Sequence, residues 1–133
     1  MKERSKDVGL RLYEHLGIER SDKVAREAQT RRNFDGFGAP LLGFVFVHQG
    51  LMPFSALDAG ILLQTLFLSA KAHGVDSCAL GSLARWRDPV AGEFEIDPDY
   101  KFITGFALGY AADTLANEFR APRPPVELVP FLQ

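Results

Sequence analysis

The chain has 133 residues, a length typical of one domain, and 47% of them are hydrophobic, which is ordinary for a globular core. Its formal net charge is −2 with both signs interspersed, so charge does not indicate a nucleic acid or an anionic membrane as partner. A single cysteine excludes an internal disulfide framework, and the first residues lack the apolar core of a signal peptide. Both features favour a cytoplasmic location.

The first 33 residues are predicted to form two helices. Apolar residues at four-residue spacing, ending at Gly17, predict a short amphipathic helix over residues 5–16. A second helix is expected to begin after Ser21 and to run to about Arg32. Acidic residues are mixed among its basic ones, so its charged side chains are expected to form a solvated face.

Residues 34–111 hold the predicted core. Leu41–His48 is a continuous apolar run rich in β formers, and it predicts a strand covered on both faces, in the centre of a sheet. Residues 102–111 predict a second buried strand, and residues 76–80 a shorter one. A short helix is expected to begin with Pro89 at its first position.

Residues 55–74 predict one long helix that is apolar on every side. Ser55 is expected to be its N-cap, Asp58 to favour its first turn, and Gly74 to end it in the left-handed conformation. A helix that is hydrophobic all round is buried, and the polar residues within this one argue against a bilayer span. We therefore expect a sheet to cover one side and a second subunit the other.

The residues that metal ions and nucleophilic catalysis require are scattered in this chain. His15, His48 and His73 lie far apart, and the lone Cys78 has no partner, so no metal site is predicted. We expect surface or capping roles for the histidines. Cys78 is expected to be a small buried hydrophobic residue, without a nucleophilic role.

Two features are compatible with ligand binding. Arg120 and Arg123 lie on a proline-stiffened loop, which suits guanidinium groups that hold a phosphate, although loop arginines are also common on a solvated surface. Leu80 is followed by Gly81, where a ligand is able to approach main-chain amides. A turn without any function has the same sequence pattern.

Five short motifs, taken in order, resemble the C-terminal part of the nitroreductase family over about residues 30–129. They are GAP before FVFV, the S-x-x-D-x-G-x-x-x-Q helix, its ending AHGVDSC, the strand FALGYA, and NEFRAPRPPVE. The resemblance implies an α/β (α+β) fold, a mixed sheet flanked by helices, in a domain-intertwined homodimer centred on the long helix. The chain is then one domain, with N-terminal helices (1–33), a core (34–111) and an extended C-terminal arm (112–133).

The resemblance also implies an activity. Members of this family bind FMN and carry electrons from NADH or NADPH to small acceptors such as nitroaromatics or quinones. Arg123 and Arg120 match the residues that hold the flavin phosphate, while Leu80 and Gly81 match the segment whose main-chain amide faces flavin N5. The flavin carries the redox chemistry, so no catalytic side chain is expected.

The sequence departs from the family pattern in two places. Thr65 stands where an asparagine is common, and Met1 falls inside the pattern, so an N-terminal flavin-binding segment is expected to be missing. Each charged hydrogen bond that this segment would make to the flavin is then lost, and each loss weakens binding by about 1.5 to 3 kcal/mol. The alternative to an enzyme is therefore a truncated, non-catalytic homologue that acts as a dimerisation or flavin-binding module.

Overall fold

The computed structural model describes residues 2–123, 125, 126 and 128. By internal contacts the chain divides into two compact units, one made of the described residues of 1–26 and 112–133, and one of residues 27–111. The described helices are α1 (Lys2–His15), α2 (Lys23–Arg31), α3 (Phe54–Ala72), α4 (Arg87–Glu93) and α5 (Leu115–Glu118), and the strands are β1 (Leu41–His48), β2 (Asp76–Leu80) and β3 (Tyr100–Gly109). The sequence-based division at residues 33 and 111 stays a prediction.

The three described strands form one antiparallel sheet in the order β1-β3-β2. β1 and β2 were both predicted with their observed bounds, but the central position predicted for β1 is wrong for these strands. β3 is the central strand because it pairs with β1 along one edge and with β2 along the other. It also begins two residues earlier than predicted, and no parallel pair occurs among the described strands.

One face of the sheet carries the aromatic core of residues 27–111. The register pairs Phe44 with Gly105 and Phe46 with Phe102, and the irregularity between Val45 and Phe46 shifts Phe102 onto this face. Phe46 and Phe102 stack with ring centroids 4.8 Å apart. The buried members of the cluster are Leu80, Leu83, Phe102 and Ala107.

α3 packs on the other face of the sheet, where the Phe67 ring meets the edge of Phe106 with centroids 6.0 Å apart. Gly43 lies opposite Phe106 in the register, and the Phe106 ring occupies the space that a Cβ at Gly43 would need. The glycine in the apolar run of β1 is therefore required by close packing.

Gly43→Ala is expected to lower the free energy of unfolding by about 1 to 3 kcal/mol, because the new methyl group overlaps the Phe106 ring. Gly9→Ala is the matched control, since a Cβ at this position in α1 meets no atom within 4 Å. That change should raise stability by about 0.5 to 1 kcal/mol through the better helix propensity of alanine. Urea unfolding of both variants checks the packing, and equal effects would contradict it.

The start of α3 differs from the prediction. The helix begins at Phe54, and Pro53 occupies the N-cap position without a side-chain capping bond. Ser55 lies inside the first turn, and its Oγ donates a hydrogen bond to the carbonyl oxygen of His48 at 3.3 Å. The capping role predicted for Ser55 is therefore wrong, because its hydroxyl ties α3 to the end of β1 instead, and Asp58 makes no cap either.

The end of α3 confirms the prediction for Gly74, which has a φ of +77°. The Val75 amide donates to the Ala70 carbonyl at 2.9 Å, and the Gly74 amide donates to the Lys71 carbonyl at 3.0 Å. These two bonds form a Schellman motif, which satisfies the last carbonyl groups of the helix.

The shorter helices α2 and α4 are present as predicted, but their ends differ from the prediction. α2 runs from Lys23 to Arg31 within its expected span. α4 begins at Arg87, so Pro89 is its third residue, where the missing N–H still costs no intrahelical bond. The predicted extended arm includes one helical turn, α5, which ends before the first proline of the tail.

The side of α3 away from the sheet is apolar and exposed in the single chain. Its exposed large residues include Phe54, Leu57, Ile61 and Leu68. These four residues, the outer stripe, recur at spacings of three, four and seven and so share one helix face. No described helix combines the length and hydropathy that crossing a membrane requires. A contiguous exposed apolar face of this kind is typical of a protein interface.

Candidate functional site

The first half of the candidate site is the end of β2. Leu80 closes the strand with only 1% of the residue exposed, so it is part of the core, and the exposed residue of this pair is Gly81. Gly81 opens a short 3-10 helix, Gly81–Arg85. A Cβ placed on Gly81 would meet no protein atom within 4 Å. The backbone at Gly81 therefore borders open space.

The turn that follows Gly81 is fixed on the core. Leu83 is buried, and its Cδ1 lies 2.5 Å from where a Cβ on Gly105 would be, so the turn packs directly on the β3 backbone. The Trp86 amide donates to the Leu83 carbonyl at 2.9 Å, and the Trp86 ring lies against Phe34 with centroids 4.4 Å apart. Main-chain groups at Leu80 and Gly81 are thus held by packing before any ligand arrives.

The second half of the candidate site is the segment after α5. Arg120 donates from Nη1 to the carbonyl oxygens of Asn117 at 2.7 Å and Phe119 at 3.0 Å, which orients its guanidinium. Arg123 is exposed, and no described residue forms an ion pair or a hydrogen bond with it. Both arginines therefore keep donors that are available to an anion, and Arg123 keeps all of them.

α5 is anchored to α1 by a contact that the sequence did not reveal. His15 Nε2 lies 2.9 Å from the carbonyl oxygen of Leu115, and since a carbonyl only accepts, Nε2 carries the proton of this bond. The His15 ring also lies against Phe119, with centroids 5.6 Å apart. The partners are 100 residues apart, so no spacing pattern signals them.

The capping roles predicted for histidines are confirmed at His48 and His73. His48 caps the turn after β1, because its Nδ1 accepts from the Gly50 amide at 3.1 Å. His73 follows α3, and its Nδ1 lies 2.8 Å from the Ser69 carbonyl oxygen. Both side chains serve local backbone groups, and neither belongs to a group of metal-binding side chains among the described residues.

The prediction that Cys78 is buried is wrong. It lies on β2, an edge strand of the described sheet, and the residue is exposed. Protein atoms around Sγ nevertheless desolvate the thiol and raise its pKa. The thiolate is thus disfavoured, which agrees with the absence of a nucleophilic role in the prediction.

Asp76 has hydrogen-bond partners on both of its carboxylate oxygens. Its Oδ1 lies 2.6 Å from Lys71 Nζ, and its Oδ2 accepts from the Ala111 amide at 3.0 Å. The hydrogen bond from Lys71, and then the one from Ala111, lower the pKa of this carboxyl. Asp76 thus joins the end of α3, the start of β2 and the first residues after β3.

The four predicted site residues fall into both units. Leu80 and Gly81 belong to residues 27–111, whereas Arg120 and Arg123 belong to the other unit. Within each unit the local geometry is compatible with the predicted role, through open backbone in one and available guanidinium donors in the other. The flavin-binding role of all four residues stays a prediction.

The model of the Nitroreductase family matches residues 3–110 of the chain, which extends the similarity well before residue 30. A 4-nitrobenzoate reductase of Pseudomonas putida is 34% identical over 124 residues, which are 92% of this chain and 54% of that protein. Nitroreductase NfnB of Mycolicibacterium smegmatis is 36% identical over 92% of this chain and 53% of its own length. The chain therefore spans about half the length of the curated relatives it matches.

Solved structures agree with these relatives. The FMN and NADPH-dependent nitroreductase NfnB from Sphigopyxis sp. strain HMH superimposes with a TM-score of 0.89 at 32% identity, over 98% of this chain and 60% of that one. The FMN-dependent NfnB from Mycobacterium smegmatis, solved in complex with NADPH, gives 0.85 at 34% identity over 93% and 56%. The nitroreductase-type α/β fold predicted from the motifs is confirmed.

Proposed function

Because the chain belongs to the nitroreductase family, we propose that it is an FMN-dependent oxidoreductase that uses NADH or NADPH. It reduces a small acceptor, such as a nitroaromatic or a quinone, by two electrons through flavin N5. The observation that carries this proposal is the match of 98% of the chain, at a TM-score of 0.89, to an enzyme described as FMN and NADPH-dependent.

Taken separately, each unit offers groups that suit a part of FMN. The open space at Gly81 lets a planar ring approach the main chain there, where a side chain would obstruct it. The guanidinium groups of Arg123 and Arg120 supply planar donors that match a phosphate. When bound, FMN supplies the hydride and electron transfer. The chain itself binds, orients and shields the flavin.

The outer stripe of α3 supports a homodimer. Phe54, Leu57, Ile61 and Leu68 remain exposed in the single chain, although apolar faces of this extent are normally covered. A second copy covers the stripe with an equivalent stripe, since a twofold interface brings the same surface of both subunits together. A cytoplasmic location rests on the single cysteine and stays a prediction.

Anaerobic reduction tests the enzymatic proposal. The full chain is mixed with FMN, desalted, and titrated under nitrogen with NADPH and, separately, NADH. We expect the flavin absorbance of the protein to bleach with at least one of them and to return on addition of 4-nitrobenzoate or a quinone. Flavin that stays bound but never bleaches would leave a flavin-binding module, and a protein that retains no flavin would leave a dimerisation module.

A further inference from the structure

A glycine of the central strand lies beneath the short 3-10 helix Gly81–Arg85 (the Gly81 turn). Gly105 of β3 stands opposite Leu80 of β2 on one side and opposite Phe44 of β1 on the other. It is buried, and its φ is not positive, so its backbone conformation does not itself require glycine. Because β3 is paired along both edges, it has little freedom to shift. The residue that packs over Gly105 must therefore adjust to whatever stands there.

Leu83, in the middle of the Gly81 turn, packs over Gly105. A Cβ on Gly105 would lie 2.5 Å from Leu83 Cδ1 and 3.3 Å from Leu83 Cβ. Rotation of the side chain is able to move Cδ1, but Cβ is attached directly to the backbone of the turn. Leu83 is only 4% exposed, so the close-packed core around it also resists rotation. A methyl group at Gly105 therefore displaces the main chain of the Gly81 turn.

The far end of the Gly81 turn is attached to the same core. The Trp86 amide donates to the Leu83 carbonyl at 2.9 Å, and the Trp86 ring lies against Phe34 with centroids 4.4 Å apart. Gly81 and Trp86 flank Leu83 closely in the chain. A displacement at Leu83 is thus passed to the exposed main chain at Gly81 and to the Trp86 ring.

We propose that Gly105 is a positioning residue for flavin binding. It sets the depth at which the Gly81 turn lies on the sheet, and with it the place where the Gly81 main chain meets the flavin ring. The proposal rests on the proposed function. Hydrogen bonds weaken steeply when their angle departs from the optimum. A backbone held in advance at the right depth also reduces the cost of ordering it when the ligand binds.

Gly105→Ala should raise the Kd for FMN and the Kd for riboflavin by the same factor, about fivefold, the effect of one ordinary hydrogen bond. The factor is shared because both ligands carry the ring and only FMN carries the phosphate. Gly43→Ala is the matched control, since its methyl group meets the Phe106 ring on the other face of the sheet. It should leave both constants unchanged although it destabilises the fold. Equal losses in the two variants would mean general destabilisation and would overturn the positioning role.

Combined substitutions test whether Gly105 acts through Leu83. In a Leu83→Ala background the overlap with Cδ1 is gone, so the addition of Gly105→Ala should change both flavin constants little. Substitutions in contact are expected to be non-additive in this way. The same factor in both backgrounds would show that Gly105 does not act through Leu83, and the proposal would be wrong.

Trp86→Leu tests the far attachment of the turn in a variant that leaves the core intact, since Trp86 is 51% exposed. It removes the ring contact with Phe34 and should raise both flavin constants by up to about fivefold. Unchanged constants in both Trp86→Leu and Gly105→Ala would overturn the proposal.

Tryptophan fluorescence of the free protein supplies a readout that does not depend on flavin. Trp86 is the one tryptophan of the chain, so its emission reports on the end of the Gly81 turn. Gly105→Ala should shift the emission maximum to longer wavelength, because the ring moves from Phe34 toward water. Gly43→Ala should leave the maximum in place. An unchanged maximum in Gly105→Ala would show that the turn does not move, which contradicts the proposal.

Gly81→Ala separates the positioning role from the proposed function. A Cβ at Gly81 meets no protein atom within 4 Å, so the fold accommodates the methyl group, which then obstructs the flavin ring. If Gly81→Ala weakens flavin binding while Gly105→Ala does not, the positioning role fails alone. If no form of the protein binds FMN or riboflavin, the positioning role falls together with the proposed function.

Discussion

Replacing Arg123 with alanine should weaken FMN binding by about 10- to 100-fold and leave riboflavin binding unchanged. A hydrogen bond to a charged group contributes about 1.5 to 3 kcal/mol, and each 1.4 kcal/mol is a factor of about ten in Kd. Arg123 is exposed and no described residue pairs with it, so its removal leaves no intramolecular partner unsatisfied. Quenching of flavin fluorescence during titration measures both constants.

The matched control is Arg31→Ala. Arg31 is an equally basic, exposed residue, but it is engaged with Glu27 at 2.7 Å on the solvated side of α2. This change should shift neither Kd, because exposed helix pairs contribute only a few tenths of a kcal/mol to stability. Equal effects of Arg31→Ala and Arg123→Ala would mean that these arginines contribute to FMN binding only through nonspecific positive charge. The assignment of Arg123 to the flavin phosphate would then be wrong.

A charge in the outer stripe should convert the protein to monomers. Ile61 is 59% exposed in the single chain, so Ile61→Glu costs the isolated subunit little. In a twofold dimer built on this stripe the carboxylate is buried beside its symmetry mate, and an unpaired buried charge costs several kcal/mol. Sedimentation at micromolar concentration should find a dimer for the parent and a monomer for the variant.

Val24→Glu tests whether the effect belongs to α3. Val24 is also an exposed apolar helix residue, at 81%, but it lies on α2. The substitution has the same chemistry and should leave the dimer intact. A parent protein that sediments as a monomer, or an Ile61→Glu protein that stays dimeric, would show that the stripe is not the interface.

The elements with a strong local signal were predictable from the sequence. The apolar run of β1 and the glycine that ends α3 are decided by residues within a few positions, and both were found as expected. The central position of β3 in the sheet was not predictable, because strand pairing depends on contacts between residues far apart in sequence. Ser55 was misassigned because its hydroxyl donates to the carbonyl of His48, seven residues earlier, across the turn that joins β1 to α3.

The candidate site shows the same limit. The accessible backbone at Gly81 follows from a glycine after an apolar strand, so the sequence revealed it. The hydrogen bond from the Ala111 amide to Asp76 joins residues 35 apart, and that from His15 to the Leu115 carbonyl joins residues 100 apart. Neither hydrogen bond is signalled by a periodicity or a motif in the sequence. The exposure of Cys78 likewise depends on β2 being an edge strand, which only the sheet order reveals.

Titration of the full chain with FMN tests the central claim most directly. Flavin fluorescence is followed to saturation, with riboflavin as the comparison ligand. Our account predicts saturable binding of one FMN per chain, tighter than riboflavin because Arg123 and Arg120 contact the phosphate. Absence of saturable binding, or equal affinity for FMN and riboflavin, would contradict it.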